Sequence, residues 1–306
     1  MSKHLGTREL QMINRLAIIG VGLIGGSLSL ALKKAGFVGE VVGFSRTESV
    51  RNEALSLGVI DHAASSISEA VKGADMVFVA VPMTAMETVF SELAETISDD
   101  AIITDGGSAK AQLVKMARVT LGDKFGQFVP GHPIAGTERS GPSAAFASLY
   151  QDHRVVLTPV VETSSRALKK VHAMWHATGA EVLEMEMEHH DVVLAATSHV
   201  PHVLAFNLVG MLAQRDDCDE VLRYAAGGFR DFSRIASSDP TMWRDICLTN
   251  SDAILELMEQ YQQDLNQLVT AIKQQDADYL LNVFARAKQA RDTRFADPDL
   301  IDNSEV

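Results

Sequence analysis

Leu16-Ala17-Ile18-Ile19-Gly20-Val21-Gly22-Leu23-Ile24-Gly25 is the stretch that decides the fold. The four apolar residues predict a short strand, Ser27 to Ala35 predicts a helix, and the glycines set the turn between them. At this spacing the first glycine permits the tight turn. The second lets backbone approach a pyrophosphate, and the third lets helix and strand pack closely. Phosphates then lie on the helix N-terminus, where unpaired amides and the helix dipole favour negative charge. Gly20, Gly22, Leu23, Ile24 and Gly25 are therefore candidate contacts for a nicotinamide dinucleotide, with Val81 and Pro82 at the end of a later strand.

Outward from this turn, strands are predicted at Val41 to Phe44, Asp75 to Val81, Ala101 to Thr104 and Phe128-Val129, with helical stretches between them. That alternation predicts an α/β fold with a Rossmann-type doubly wound, mostly parallel sheet. Ligands on such sheets gather at the carboxyl ends of the strands, where Asp105 to Lys110 and Gly131 to Glu138 fall. The second strand runs into Ser45-Arg46-Thr47 with no acidic residue to hold a ribose 2′-hydroxyl. Ser45, Arg46 and Thr47 suit a 2′-phosphate, which favours NADP; NAD stays open if Arg46 only stacks on adenine.

Beyond about Val182 the pattern becomes helical. Glu186 to Ala213 is long and apolar, with Pro201 as an expected kink. Asp252 to Lys273 puts Ile254, Leu257, Met258, Tyr261, Leu265, Leu268 and Ile272 on one stripe, and Asp276 to Arg291 adds Leu280, Leu281 and Phe284. The division expected is a dinucleotide-binding domain over 1–185 and an all-α C-terminal domain over 186–306. So long an apolar stripe must be covered by the chain's own core or by a partner subunit.

Of the 306 residues, 46% are hydrophobic and 22% charged, and the net charge is −13. General nucleic-acid affinity is excluded, and an anionic substrate needs local positive charge. Cys218 and Cys247 form no paired motif, which points to a reducing compartment. The segment Met1 to Asn14 lacks the apolar core of a signal peptide, and no apolar run approaches the roughly 18 residues that span a bilayer. A cytoplasmic protein without membrane attachment is expected, ending in a mobile acidic tail beyond Thr293.

Gly131-His132-Pro133-Ile134-Ala135-Gly136-Thr137-Glu138 sets one histidine in a tight, glycine-bounded turn. Ser108 either hydrogen-bonds a substrate oxygen or caps a helix. His189-His190-Asp191 and Ser198-His199-Val200-Pro201-His202 add imidazoles; His199 and His202 share a helical face. No carboxylate or cysteine repeats there at ligand spacing, so a metal is not expected. Gly227 to Ala236 and Asp239 to Arg244 bring arginines suited to carboxylates.

Together, Gly20 to Gly26, Asp105 to Lys110, Gly131 to Gly141, Ser198 to His202 and Gly228 to Trp243 closely resemble the prephenate and arogenate (cyclohexadienyl) dehydrogenase family of tyrosine biosynthesis. The likeness runs from about Arg15 to Arg291. It implies oxidative decarboxylation of prephenate to 4-hydroxyphenylpyruvate, or of arogenate to tyrosine, in a monofunctional enzyme. By the same resemblance His132 accepts the alcohol proton as hydride leaves the ring carbon, and Ser108 supports its hydrogen-bond network. Arg234 binds a substrate carboxylate, His202 lines the pocket and His199 lies nearby. Thr137, Glu138 and Asp231 match polar residues at the pocket mouth. Trp243 reaches in from a partner subunit, in keeping with the family's helical homodimer, and tyrosine is a candidate inhibitor.

Two other readings fit less well. β-Hydroxyacid dehydrogenases commonly rely on a lysine of the second domain, and no lysine occurs between Lys170 and Lys273. A non-catalytic nucleotide sensor has no need of Ser108, His132 and Arg234 together.

Overall fold

The computed structural model describes residues 12–137 and 139–294. The polar N-terminal segment, Glu138 and the acidic tail lie outside the described residues. Strand β1 (Ile13–Ile19) leads through the glycine turn into helix α1 (Leu23–Ala35) and strand β2 (Val38–Phe44). Helix α1 stops at Gly36, whose left-handed backbone (φ 64°) returns its N–H to carbonyls of the last turn. There follow α2 (Glu48–Ser56), β3 (His62–Ala63), α3 (Ile67–Val71), β4 (Met76–Val79), α4 (Met86–Thr96), β5 (Ile102–Asp105), α5 (Ala111–Leu121) and β6 (Phe128–Val129). The six strands pair in the order β3-β2-β1-β4-β5-β6, all parallel. The order reverses between β1 and β4, which is where a doubly wound sheet opens its ligand crevice.

Both faces of this sheet are covered, so its strands are apolar throughout rather than alternating. Leu16, Ile18, Met76 and Phe78 enter one core, while Ala17, Ile19, Val77 and Val79 enter the other. On the first face α6 (Ser165–Ala177) delivers Trp175, fully buried and edge-on to Phe78 (5.7 Å between centroids) and Tyr150 (5.1 Å). The Tyr150 hydroxyl donates to the Ile24 carbonyl at 2.6 Å, so this cluster also steadies the start of α1.

His132 lies in a strand, not in the turn expected. After Pro130 the chain leaves the main sheet, and β7 (Gly131–Pro133) pairs antiparallel with β8 (Arg154–Leu157), His132 opposite Val156. Strand β9 (Glu181–Glu184) completes this second sheet, parallel to β8. Backbone bonds from Thr158 to Pro130 and from Ile134 to Arg154 close both ends of the β7 pairing. The residues that suggested a turn are the exposed ones that follow, from Gly136.

The rest is helical: α7 (Met187–Leu194), α8 (Val200–Ala213), α9 (Cys218–Arg223), α10 (Gly227–Arg234), α11 (Pro240–Thr249), α12 (Ser251–Gln274) and α13 (Ala277–Arg294). Between α7 and α8, Ala195–His199 widen into a π-helical turn. Pro201 has no N–H to offer the preceding turn, and the extra residue there absorbs the defect. From Met187 to Ala213 the helix is continuous over 27 residues, and its most apolar 18-residue window has a mean hydropathy of 1.5. By length and composition it reaches membrane-spanning size, contrary to the expectation from uninterrupted apolar runs. Asp191 and the histidines break the apolar run, yet the helix still holds an 18-residue window apolar enough to pass.

Trp175→Ala removes the ring that joins α6 to the sheet. A loss of about 3–5 kcal/mol is expected, read by urea denaturation; a loss under about 1 kcal/mol would show that this cluster does not hold the face together.

Candidate active site

The glycine turn has the shape of a dinucleotide cradle. Gly20 sits at φ +103°, and a Cβ there would come within 2.2 Å of the Ala80 carbonyl oxygen. A Cβ on Gly25 would stand 2.2 Å from the Gly20 oxygen. At Gly22 a Cβ would meet nothing within 4 Å. Two glycines are thus demanded by packing, while the third keeps an open approach to the N-terminus of α1. Gly22, as N-cap, offers those amides no side-chain acceptor. Leu23 and Ile24 begin the helix. Val81 and exposed Pro82 follow β4, Val81 beside Gly20, and Thr84 bonds Asp245 of α11 at 2.8 Å, fastening this loop to the helical region. These residues fit the backbone, the phosphates and the apolar ring face of a nicotinamide dinucleotide.

Ser45 is half-buried at the end of β2, and Arg46 and Thr47 are exposed beside it. Arg51, one turn into α2, donates to the carbonyls of Ser45 (2.5 Å) and Arg46 (3.3 Å) and so sets the course of this loop.

His132 is buried where β6 gives way to β7. Its Nδ1 lies 2.9 Å from His190 Nε2, and His190 Nδ1 lies 2.8 Å from Asp191 Oδ1. Asp191 also accepts the backbone amides of Lys110 and Ala111, at 2.8 Å each, and so caps α5 from another part of the chain. Lys110, wholly buried, bonds the Asp105 carboxylate and the Gly131 carbonyl, and Asp105 accepts the amides of Gly107 and Gly131. Burial holds the His132 imidazole well below its ordinary pKa, with His190, Lys110 and His199 adding to the shift. Ser108, half-buried two residues ahead of Lys110, is not the helix cap. Among the described residues no hydrogen bond joins it to His132.

The helical side of the crevice carries the other imidazoles. The Asn250 side-chain amide donates to the Asp191 carbonyl (2.9 Å) and to His199 Nδ1 (3.0 Å). Burial pushes the His199 pKa down to about 4. His202 stacks on Trp243, with ring centroids 3.7 Å apart and planes 18° apart, and its Nδ1 donates to the Ser198 carbonyl. Within the chain, Trp243 is the ring against which His202 packs. Burial and then the nearby Arg234 guanidinium keep His202 uncharged, while its bond to Ser198 opposes them. Electrostatically, His199 lowers the pKa of His132, His202 that of His199, and Arg234 that of His202; Arg234 lies at the exposed end of α10.

Thr137 and Asp231 are exposed, and Glu138 lies outside the described residues. The sequence reading missed Lys110, Asp105 and Asn250 as supports, and it assigned no role to His190 and Asp191. A buried charge at the end of a strand was the available hint for Asp105. Nothing local flags the others.

Fold and site define a nicotinamide-dinucleotide-dependent dehydrogenase. Two family models match the chain: "Prephenate dehydrogenase, nucleotide-binding domain" over residues 28–184 and "Prephenate dehydrogenase, dimerization domain" over 186–286. The cyclohexadienyl dehydrogenase of Zymomonas mobilis is 40% identical over 94% of this chain and 99% of its own. The prephenate dehydrogenase of Bacillus subtilis is 38% identical over 92% of this chain and 76% of its own. The prephenate dehydrogenase of Aquifex aeolicus, solved with hydroxyphenyl propionate and NAD+, superposes with a TM-score of 0.85 at 36% identity, covering 91% of this chain and 97% of that one. The chain belongs to the prephenate dehydrogenase family.

An NMR pH titration of the imidazoles should find His132 and His199 titrating below 6.5, His199 near 4. The groups acting on His132 are His190 on α7, Lys110 before α5 and His199 on the π-turn; Asp191 lies behind His190 and Asp105 behind Lys110. A His132 midpoint above 6.5 would contradict the lowering by burial and the neighbouring cations and imidazoles.

Proposed function

We propose that this chain converts prephenate to 4-hydroxyphenylpyruvate and carbon dioxide within tyrosine biosynthesis. The observation that carries the reading is a buried, neutral imidazole, His132, whose Nδ1 is held at 2.9 Å by His190 on the helical side while Lys110 and Asp105 bind the Gly131 backbone beside it. When bound, NAD(P)+ supplies the acceptor for the hydride that leaves C4 of the ring. Gly20, Gly22, Leu23, Ile24, Gly25, Val81 and Pro82 hold it, and Ser45, Arg46 and Thr47 receive its adenosine end.

His132 Nε2 takes the proton of the 4-hydroxyl as that oxygen becomes a carbonyl. Loss of carbon dioxide then sends the electron pair of the breaking carbon–carbon bond into the ring. The ring becomes aromatic and its oxygen takes a proton back. The overall reaction therefore releases no proton, and His132 ends neutral, as it began. Ser108 hydrogen-bonds the same oxygen. Arg234 holds a carboxylate against the chain's net charge of −13. His202, on its Trp243 platform, and His199 shape the pocket, with Thr137 and Asp231 at its mouth. Region 1–185 binds the cofactor, and region 186–306 supplies substrate contacts and a dimer face.

The finer assignments belong to the same reading. Arogenate is an alternative substrate, since it differs only by an amino group in place of the keto group, and tyrosine is a candidate inhibitor. Ser45, Arg46 and Thr47, with no acidic residue among them, support NADP over NAD. Met211, Leu255, Ile272, Leu281 and Phe284 are each more than half exposed, an apolar surface that a second copy of the chain would cover in a cytoplasmic homodimer.

Assays of prephenate and arogenate, each with NAD+ and NADP+, should show prephenate-dependent nicotinamide reduction, faster with NADP+. His132→Asn should lower kcat by about 10²–10⁴-fold with cofactor affinity retained; near-normal turnover in it would remove His132 as the proton acceptor. In Arg234→Gln the prephenate KM should rise by about tenfold or more, the loss of a charged hydrogen bond. An unchanged KM would release Arg234 from the carboxylate.

A further inference from the structure

We propose that His190 is a positioning residue which, with Asp191, fixes the tautomer of His132 so that the lone pair stands on Nε2. The inference rests on the reading of His132 as proton acceptor. It follows from counting hydrogens along a chain of three side chains.

Asp191 is the fixed end. Its Oδ1 accepts the Lys110 amide and its Oδ2 the Ala111 amide, so both oxygens already face donors at the N-terminus of α5. These bonds and His190 outweigh burial and keep its pKa below the usual value, so the group is an ionised acceptor. The nitrogen at 2.8 Å from Oδ1 must then carry hydrogen, which places the proton of His190 on Nδ1.

His190 is itself buried and has Lys110 nearby, and both disfavour a second proton on it, despite the pull of Asp191. Its Nε2 is then a lone pair. Facing that lone pair at 2.9 Å, His132 Nδ1 must be the donor. A neutral imidazole with hydrogen on Nδ1 has its lone pair on Nε2, the nitrogen free to meet the substrate hydroxyl. The opposite arrangement puts hydrogen on His132 Nε2 and requires an imidazolium at His190. It would leave His132 unable to accept a proton.

The same relay serves the charged state. When His132 takes a proton at Nε2, its cation stands one ring away from the Asp191 carboxylate. A neutral acceptor at Nδ1 accommodates that state without a side chain having to move.

The test uses the full-length enzyme with ¹⁵N-labelled histidine. In the wild type at neutral pH, the His132 signal, assigned by its loss in His132→Asn, should show a protonated Nδ1 and an unprotonated Nε2. His190→Leu removes the acceptor. Its kcat should fall by about 100-fold or more, within the range general-base catalysis contributes, with prephenate KM and cofactor affinity within about twofold. His190→Gln, whose amide oxygen can accept from Nδ1, should recover at least about tenfold of that loss. A structural role alone would not split kcat from KM or respond to Gln in this way.

Wild-type His132 protonated on Nε2 would overturn the proposal, whether or not His190→Leu folds. So would a folded His190→Leu enzyme with kcat within about threefold of the wild type, well short of a general base's contribution. Inactive His132→Asn beside a normal His190→Leu would sink the relay alone. An active His132→Asn would sink the reading of the base itself.

Discussion

The Asp191 carboxylate at the N-terminus of α5 is the contact on which the rest of the site depends. Helix starts leave amides without internal partners, and a carboxylate there is stabilised by the bonds and by the helix dipole. Most caps come from a residue next to the helix; this one comes from α7, 80 residues away. One side chain therefore docks the helical region onto the Rossmann sheet, ends α5 and orients His190. Because all three depend on the same two oxygens, the geometry at His132 is correct only when both parts of the chain are assembled.

Beneath that contact lies the Lys110–Asp105 pair, with no exposed surface on either side chain. Burying two charges costs more than their attraction returns unless their remaining hydrogen-bonding capacity is also used. Here it is used: Lys110 also reaches the Gly131 carbonyl, and Asp105 takes the Gly107 and Gly131 amides. These bonds fasten the end of β5 to the start of β7, which is how His132 is held beside a sheet that its own strand has left. The same ammonium helps to keep His132 and His190 uncharged. The pair therefore bears on both the place and the charge of the His132 imidazole.

Much of the fold was legible because its signals are local. The apolar run, the glycine spacing and the change to helical periodicity near Val182 are each contained within a few turns of chain. The site was legible only in part. His132 stood out by its glycine and proline neighbours, yet these suggested a turn, because the partner that makes it a strand, Val156, lies elsewhere in the sequence. The resemblance placed Trp243 near the substrate pocket, but nothing local shows that α11 folds it onto His202. The His132–His190 contact spans 58 residues and the Asp191 cap 81, and no periodicity records such pairs.

The long helix from Met187 to Ala213 unites these constraints. Only 28% of its most apolar window is buried within the chain. On hydropathy alone that could describe a span in a bilayer, but its polar groups are committed: His190 and Asp191 to α5 and His132, His199 to Asn250, and His202 to Ser198 and Trp243. Lipid around this helix would have to tolerate an ionised aspartate and three imidazoles, unless neighbouring protein enclosed them. Protein does enclose them, and the apolar remainder, with the exposed stripes of α12 and α13, then calls for another protein surface. A single helix thus presents its committed polar groups inward and apolar surface outward. Its π-turn lies between the two duties, and the residue it adds places His199 against Asn250 while Pro201 continues the helix.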